Sequence, residues 1–456
     1  MLDTFKKIHF IGIGGISMSG LAEIMYTRGY IVSGSDMNSS TTTAHLENLG
    51  IEIFQGHFPS NITSDIDIVV YTAAIQEDNP ELIAARSLVK NVLVRSEFLG
   101  WFMKTYEFPI CVSGTHGKTT TTSMLSEILI NAKKNPTITV GGILNSINGN
   151  IYIGGSKYFL TEACEYCNSF LDFYPKVGII LNVEEDHMDF FKDLNDIYNS
   201  FNQFVKLFPP DGYLVIPNDG INKQLLLKDV KNLNIETVGL SEEANWYAAD
   251  ISYSETAGAA FKVFHNSALK GIISLKAPGK HNVLNALSAC ATATFLGIDF
   301  DIVANSLGEF TGANQRFEIK GNIHGVTIID DYAHHPTEIS ATLNVANNYN
   351  HKDLYVIFQP HTYSRTKAFL NEFATSLSSA KNVIITDIYA AREKNPGDIH
   401  SKDIVSIMKN NGANVIYIDD FDEIANYILS NCSSGDMVIT MGAGNVNQIA
   451  DILLGK

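Results

Sequence analysis

Short apolar runs separated by glycine-rich or polar turns and by helical spacings recur along the whole chain. The first, Ile8-His-Phe-Ile-Gly12, reads as a strand. After it come the glycine turn Gly12-Ile-Gly14-Gly15, a small-residue helix through Leu21 and Met25, and a second strand ending at Gly34-Ser35-Asp36. Alternation continues through Ile66–Tyr71, Thr72–Ile75 and Val92–Arg95, as in a parallel, doubly wound sheet. A charged and aromatic break over Leu99–Phe108 predicts the end of this unit. A new strand, Ile110-Cys111-Val112, then runs through a glycine loop into a helix carrying Met124, Leu125, Ile128 and Leu129. Tyr158–Glu162 and Val177–Leu181 read as strands emptying into acidic clusters. Ala277–Ala286 opens an apolar helix, and Leu307–Gly312 reads as a linker. A third α/β pattern follows, with strands at Val326–Asp331, Leu354–Phe358, Val383–Asp387, Val415–Tyr417 and Asp436–Thr440. The expected fold is α/β in three domains: a Rossmann-like domain over 1–104, a central P-loop ATPase-type domain over 105–312, and a Rossmann-type domain over 313–456.

Composition narrows the function classes. A net charge of −17 leaves no diffuse basic surface for nucleic acid, so an anionic ligand must be met by local groups. No apolar run approaches the roughly 18 residues of a membrane span, and the N-terminus lacks the apolar core of a leader, which reads as a cytoplasmic protein without membrane insertion. Five scattered cysteines do not make a disulfide framework, and Cys164-Glu-Tyr-Cys167 lacks the second pair that zinc spacing requires.

Candidate chemistry gathers after the strands, where ligands of open α/β sheets bind. Gly114-Thr115-His116-Gly117-Lys118-Thr119 is a shortened phosphate loop, with Val112 where the common pattern has its first glycine. Its backbone N–H groups, its lysine and the following helix dipole suit phosphate, and Thr119 can place a hydroxyl on magnesium. Glu162 and His187 are the candidate partners of Thr119 on that ion. Gly12 and Gly14 match two positions of a dinucleotide fingerprint, Ser17 stands at the third, and Asp36 is placed to accept from a ribose hydroxyl. That loop suits any nucleotide diphosphate, whether a nicotinamide cofactor or a nucleotide sugar. Asn282 and Asn285 share a helix face and are either caps or readers of an adenine edge. His334, His361 and Arg365 form the main cationic and polar set of the third domain, and Arg365 can pair with a carboxylate.

Taken in order, these motifs resemble the Mur ligase family over nearly the whole chain. The resemblance is carried by Ile11–Gly15, Gly34–Asp36, Gly114–Thr121, Asn182 with Asp186-His187-Met-Asp189, Gly279–Asn282 with Asn285-Ala286, Arg316-Phe-Glu, Asp330–Glu338, and Gln359-Pro-His with Tyr363–Thr366. It implies an amide ligase: ATP phosphorylates the lactyl carboxylate of UDP-N-acetylmuramate, and L-alanine displaces phosphate from the acyl phosphate. It also implies roles. Gly114, Thr115, His116, Gly117, Lys118, Thr119 and Thr120 would hold the phosphates, with Asn282, Asn285, Arg316 and Asp331 on the nucleotide. Mg²⁺ would sit on Thr119, Glu162 and His187, with Glu162 preferred to Glu165. Gly12, Gly14, Gly15 and Asp36 would hold the UDP moiety, and His334, His361 and Arg365 the amino-acid and acyl-phosphate side. Ser17 and Ala333 depart from family glycines, and no lysine is assigned to the carbamylated position of many members. Competing readings are a ligase attaching a recycled peptide to the same UDP sugar, a nicotinamide oxidoreductase, and a nucleotide sensor without catalysis. The oligomeric state, monomer or homodimer, is left open.

Overall fold

The computed structural model describes residues 5–147, 149–254 and 258–456. Residues 1–4, the start of the stretch read as lacking a leader, lie outside them. Three sheets follow one another along the chain, of five, ten and six strands.

The first sheet is wholly parallel. Lys7–Ile11 lies at its centre, Ile31–Asp36 and Glu52–Gln55 on one side, Ile68–Tyr71 and Asn91–Val94 on the other. The chain therefore reverses direction beside Lys7–Ile11, and the glycine turn leaves at that switch point. Ile8, Phe10 and Ile11 are fully buried, as a strand covered on both faces requires. Glu52–Gln55 is absent from the sequence reading: it is four residues long and half-exposed, and Ile53-Phe54 alone is too short an apolar run to mark a strand. Thr72–Ile75 is a turn rather than part of a strand, closed by Ile75 N–H on the Thr72 carbonyl. The expected break is also corrected, because Arg95–Met103 is a helix. Its Phe98, Leu99, Phe102 and Met103 are buried, and Phe102 meets Phe159 of the central sheet edge-on at 5.5 Å. Aromatic residues taken for a connector are thus the packing surface that seats the first sheet against the second.

In the central sheet Phe108–Ser113 sits between Val177–Ile180 and Tyr158–Ala163, all parallel. Three strand ends thereby converge around the loop that follows Phe108–Ser113. The helix Lys118–Asn131 leaves this loop and buries Met124, Leu125, Ile128 and Leu129, each contributing about 1.5–3 kcal/mol. One edge of the sheet ends in antiparallel strands, Trp246–Tyr253, Gly258–His265 and Ala268–Pro278. The linker expected from Leu307 begins later: Phe300–Glu309 is a helix that buries Val303, Ser306 and Leu307 and packs on both Ala268–Pro278 and the helix Lys118–Asn131.

The third sheet has Val326–Asp331, Met437–Met441, Leu354–Phe358, Asn382–Ile385 and Val415–Tyr417 in parallel order, with Glu318–Ile323 antiparallel at one edge. Polar loops at its strand ends turn towards the central phosphate loop.

Candidate active site

The strand Phe108–Ser113 delivers Gly114 and Gly117 in left-handed backbone, φ 134° and 84°. A side chain at Gly114 would lie 3.0 Å from the Leu181 N and Cβ atoms, so the turn needs glycine there for space as well as torsion. Asn182 clamps the loop: its Oδ1 accepts from His116 N–H at 2.8 Å and its Nδ2 donates to the His116 carbonyl at 3.1 Å. Lys118 Nζ donates to the carbonyls of Gly114 and Thr115 and lies 3.2 Å from Glu165 Oε2. Burial works against the lysine's charge, but Glu165 and Glu162 outweigh it and push the ammonium above its ordinary range. The loop therefore carries a fixed positive charge where phosphate oxygens would lie.

Thr119 Oγ1 donates to Glu162 Oε2 at 3.2 Å, and Glu162 Oε1 accepts from Gly141 N–H at 2.6 Å. A Cβ at Gly141 would be 2.9 Å from Glu162 Oε2, so that glycine lets the carboxylate approach. His187, in left-handed backbone at φ 54°, faces Glu165 and Asp186, with Nε2 3.9 Å from Glu165 Oε1 and 3.8 Å from Asp186 Oδ2. Glu165 Oε1 is buried without a hydrogen-bond partner. The carboxylate set aside in the sequence is thus the one paired with Lys118, whereas Glu162 pairs with Thr119.

Between the central and third domains lies a cavity of about 240 Å³ lined by His116, Asn282, Asn285, Arg316, Asp331 and Glu338, among others. The two asparagines are not helix caps. Gly279 occupies the cap position without a side-chain bond, Asn282 Nδ2 donates to the Pro278 carbonyl at 2.6 Å, and Asn285 Nδ2 donates to Asn282 Oδ1 at 3.0 Å. Arg316 lies over the Tyr332 ring at 4.5 Å. Asp331 accepts from Phe317 N–H and Ala333 N–H at 2.7 and 2.8 Å, and burial raises its carboxyl to about 6. Asp331 holds the cavity wall through backbone, while Arg316 presents a cation and Tyr332 a ring.

His116 crosses the domain seam, its Nδ1 3.1 Å from Glu338 Oε1 and its Nε2 3.6 Å from Glu184 Oε2. Burial disfavours its charge, yet the two carboxylates prevail and lift the imidazole to about 10. Two further bonds cross the same seam: Thr337 Oγ1 donates to Glu184 Oε2 at 2.8 Å, and His335 Nε2 lies 3.0 Å from the Glu185 carbonyl.

Beside this lies a second cavity, about 210 Å³, where Cys164, Tyr166, Asp186 and His187 meet His334, His361 and Arg365. Arg365 is 9% exposed, so its charge is met inside the seam rather than at the surface. Its Nε and Nη2 both donate to Asp186 Oδ1, at 3.0 and 2.8 Å, so two donors converge on one oxygen. Burial would raise Asp186, and Arg365 instead holds it far below the usual carboxylate range. Arg365 Nη1 lies 3.1 Å from His361 Nδ1, and the His334 and His361 rings stand 5.7 Å apart. Burial lowers His334 to about 4 and His361 to about 3, so both are neutral bases at neutral pH.

The first glycine turn borders neither cavity. Gly12 is left-handed at φ 80°, Gly15 caps the following helix, and Asp36 Oδ2 accepts from Gly14 N–H at 2.9 Å. The central domain reaches the start of the helix after this turn through the strand Gly149–Tyr152, which pairs antiparallel with Thr137–Leu144: Asn150 Nδ2 donates to the Ile16 carbonyl at 3.1 Å.

Beside Glu162, the carboxylates of Glu165, Asp186, Glu184 and Glu338 shape the site's electrostatics, and the sequence assigns none of these four a role, Glu165 entering only as second choice to Glu162 for the ion. Glu165 and Asp186 had a usable signal, since both follow buried strands within a few residues of assigned positions. The contacts of Glu184 and Glu338 cross the chain by about 70 to 220 residues and had none.

Family models match in order along the chain: Mur ligase family, catalytic domain, over residues 7–107; Mur ligase middle domain over 112–293; and Mur ligase, glutamate ligase domain, over 315–444. A UDP-N-acetylmuramate–L-alanine ligase of Agathobacter rectalis is 51% identical, covering 98% of both chains. The same-named protein of Caldanaerobacter subterraneus subsp. tengcongensis is 48% identical, covering 99% of this chain and 98% of its own. Among solved structures, UDP-N-acetylmuramate-alanine ligase from Thermotoga maritima is 31% identical with a TM-score of 0.81, covering 98% of each chain. A murein peptide ligase from Psychrobacter arcticus is 26% identical with a TM-score of 0.74, covering 99% of this chain and 98% of its own. With three family domains in sequence and such relatives over almost its full length, the chain belongs to the Mur ligase family.

Proposed function

We propose that the protein joins L-alanine to the lactyl carboxylate of UDP-N-acetylmuramate with conversion of ATP to ADP and phosphate, through an acyl phosphate, in peptidoglycan precursor synthesis. One observation carries this reading. The Lys118 phosphate loop and the His334–His361–Arg365 set face one seam, in a chain about half identical to L-alanine ligases along its whole length. The peptide-ligase alternative rests on a more distant likeness, and an oxidoreductase would leave the Lys118–Glu165 and Thr119–Glu162 pairs without use. The domain limits 1–104, 105–312 and 313–456 serve as working units for truncation. ATP and a UDP sugar as substrates fit a cytoplasmic enzyme.

In this reading the N–H groups of the Gly114–Thr120 turn and Lys118 hold the β and γ phosphates, and Asn282, Asn285 and Arg316 take the nucleotide. Thr119 and Glu162 offer hard oxygen donors, and the partnerless Glu165 Oε1 lies near His187, so these residues fit Mg²⁺. Such an ion supplies offset for the negative charge of the phosphates. Arg365, held by Asp186, orients a carboxylate or the acyl phosphate, and neutral His334, whose Nδ1 faces the Tyr332 carbonyl at 2.9 Å and leaves Nε2 as its basic atom, can accept the ammonium proton that the attacking amine must lose. The closed seam keeps water from the acyl phosphate. The test is phosphate release with ATP, Mg²⁺ and UDP-N-acetylmuramate against a panel of amino acids and peptides. Release that depends on L-alanine is expected. Release that ignores L-alanine and requires a peptide would overturn the substrate, and ATP binding without amide formation would favour a sensor.

A further inference from the structure

Arg95 opens the helix that follows the edge strand Asn91–Val94, at the ligand-bearing end of the first sheet. Its side chain reaches across the end of Ile68–Tyr71 to the glycine turn, where Nη1 donates to Ser17 Oγ at 3.0 Å. That is its only hydrogen-bond partner among the described residues, although a guanidinium has five N–H donors. Arg86, Arg365 and Arg392 each face a carboxylate within 4 Å, and Arg28 and Arg316 lie over aromatic rings; among the described residues Arg95 has neither kind of partner. Burial lowers its hold on the proton, and Cys164 and Asp172 of the central domain act on it only through space. Arg95 is half-buried, so most of its donors remain open at the turn, where an anionic ligand can take them.

The turn it touches has a direction. Asp36 lies on one side of Gly14, at the end of Ile31–Asp36, and Arg95 comes from the opposite side, beyond Ile68–Tyr71. The helix Ile16–Thr27 between them has a free N-terminus, with Gly15 as cap, no side-chain bond there and no acidic residue in its first turn. A nucleoside diphosphate with its ribose at Asp36 would run along the turn and bring its second phosphate to Arg95. Ser17, the departure from the third glycine of the fingerprint, then has a purpose, because its hydroxyl holds the guanidinium at the turn.

We propose that Arg95, positioned by Ser17, pairs with the sugar-linked phosphate of the UDP substrate and so points the sugar towards the central domain. This rests on the reading of the Gly12–Gly15 turn as the UDP site. The experiment is calorimetric titration of the full-length protein with UDP and with UMP, comparing wild type, Arg95→Gln, Arg95→Lys, Ser17→Ala and Asp36→Asn. Arg95→Gln is expected to weaken UDP at least tenfold and UMP less than twofold, with Arg95→Lys between it and wild type and Ser17→Ala weakening UDP several-fold. In turnover, KM for the UDP sugar should rise with KM for ATP unchanged, which a general folding defect would not produce. Equal losses for UDP and UMP, or no loss for either, overturn the assignment. If Asp36→Asn weakens UDP while Arg95→Gln does not, Arg95 alone is misassigned. If Asp36→Asn also leaves UDP unchanged, the reading of the turn fails with it.

Discussion

His116 belongs to the phosphate loop, yet its charge is set by Glu338 in the other domain, and this makes closure of the seam depend on pH. In the closed form the imidazole is lifted from 6.5 to about 10. Were the third domain to swing away, Glu338 would leave with it and His116 would return towards its ordinary value. Between about pH 6.5 and 10 closure therefore takes up a proton. A raised group stabilises fully below its open-state pKa, and the contribution disappears as pH rises through its closed-state value. At full coupling each pH unit in this window costs about 1.4 kcal/mol, so going from pH 7 to 9 would weaken closure by about a hundredfold. Two facts reduce that ceiling. Glu184 stays on the central domain 3.6 Å from His116 and keeps part of the shift in the open form. The lowering of Glu338 expresses the same attraction and is not added again. The expected loss is thus about ten- to thirtyfold.

The acid limb has the opposite cause. His334 and His361 are neutral in the closed form down to about 4 and 3, and His335 and His281 are also lowered by burial. Opening lets them take up protons once pH falls below about 6.5, so closure weakens there as well. Small-angle scattering of the free protein from pH 5.5 to 9.5 should give its most compact form near pH 6.5 to 7. In His116→Gln the alkaline limb should flatten while the acid limb remains. Parallel profiles for wild type and His116→Gln would refute the coupling.

Three other perturbations have defined outcomes. Lys118→Ala should lower ligation by at least a thousandfold, about 4 kcal/mol in transition-state stabilisation, while UDP binding by calorimetry stays within twofold. Arg365→Ala leaves Asp186 buried and unpaired, so a loss of about 3–5 kcal/mol in closure or turnover is expected, with a much smaller change in ATP affinity measured by fluorescence titration. Gly141→Ala drives a methyl group to 2.9 Å from Glu162 Oε2, so the Mg²⁺ concentration for half-maximal rate should rise several-fold while the melting temperature moves by only a few degrees.

Strand ends and loops were readable because buried parallel strands leave continuous apolar runs and the chemistry must follow them. Phe108–Ser113 with its loop, Val177–Ile180 with His187, and Leu354–Phe358 with His361 all obey that rule. Elements that pack on only one side were not readable in the same way. Glu52–Gln55 is half-exposed, and Arg95–Met103 hides its function behind aromatic residues that read as a connector. Pairing across domains had no local trace at all. Nothing near Arg365 announces Asp186, 179 positions earlier, or near His116 announces Glu338, 222 positions later. Single residue types were legible where backbone geometry or a strand end demanded them. The counter-charges were not, because a carboxylate that tunes a distant cation obeys distance in the closed molecule and no spacing along the chain. The same logic explains Arg95. In the sequence it is the last letter of a strand, and its character emerges only when Ser17, its one hydrogen-bond partner among the described residues, is seen 78 residues away across the sheet.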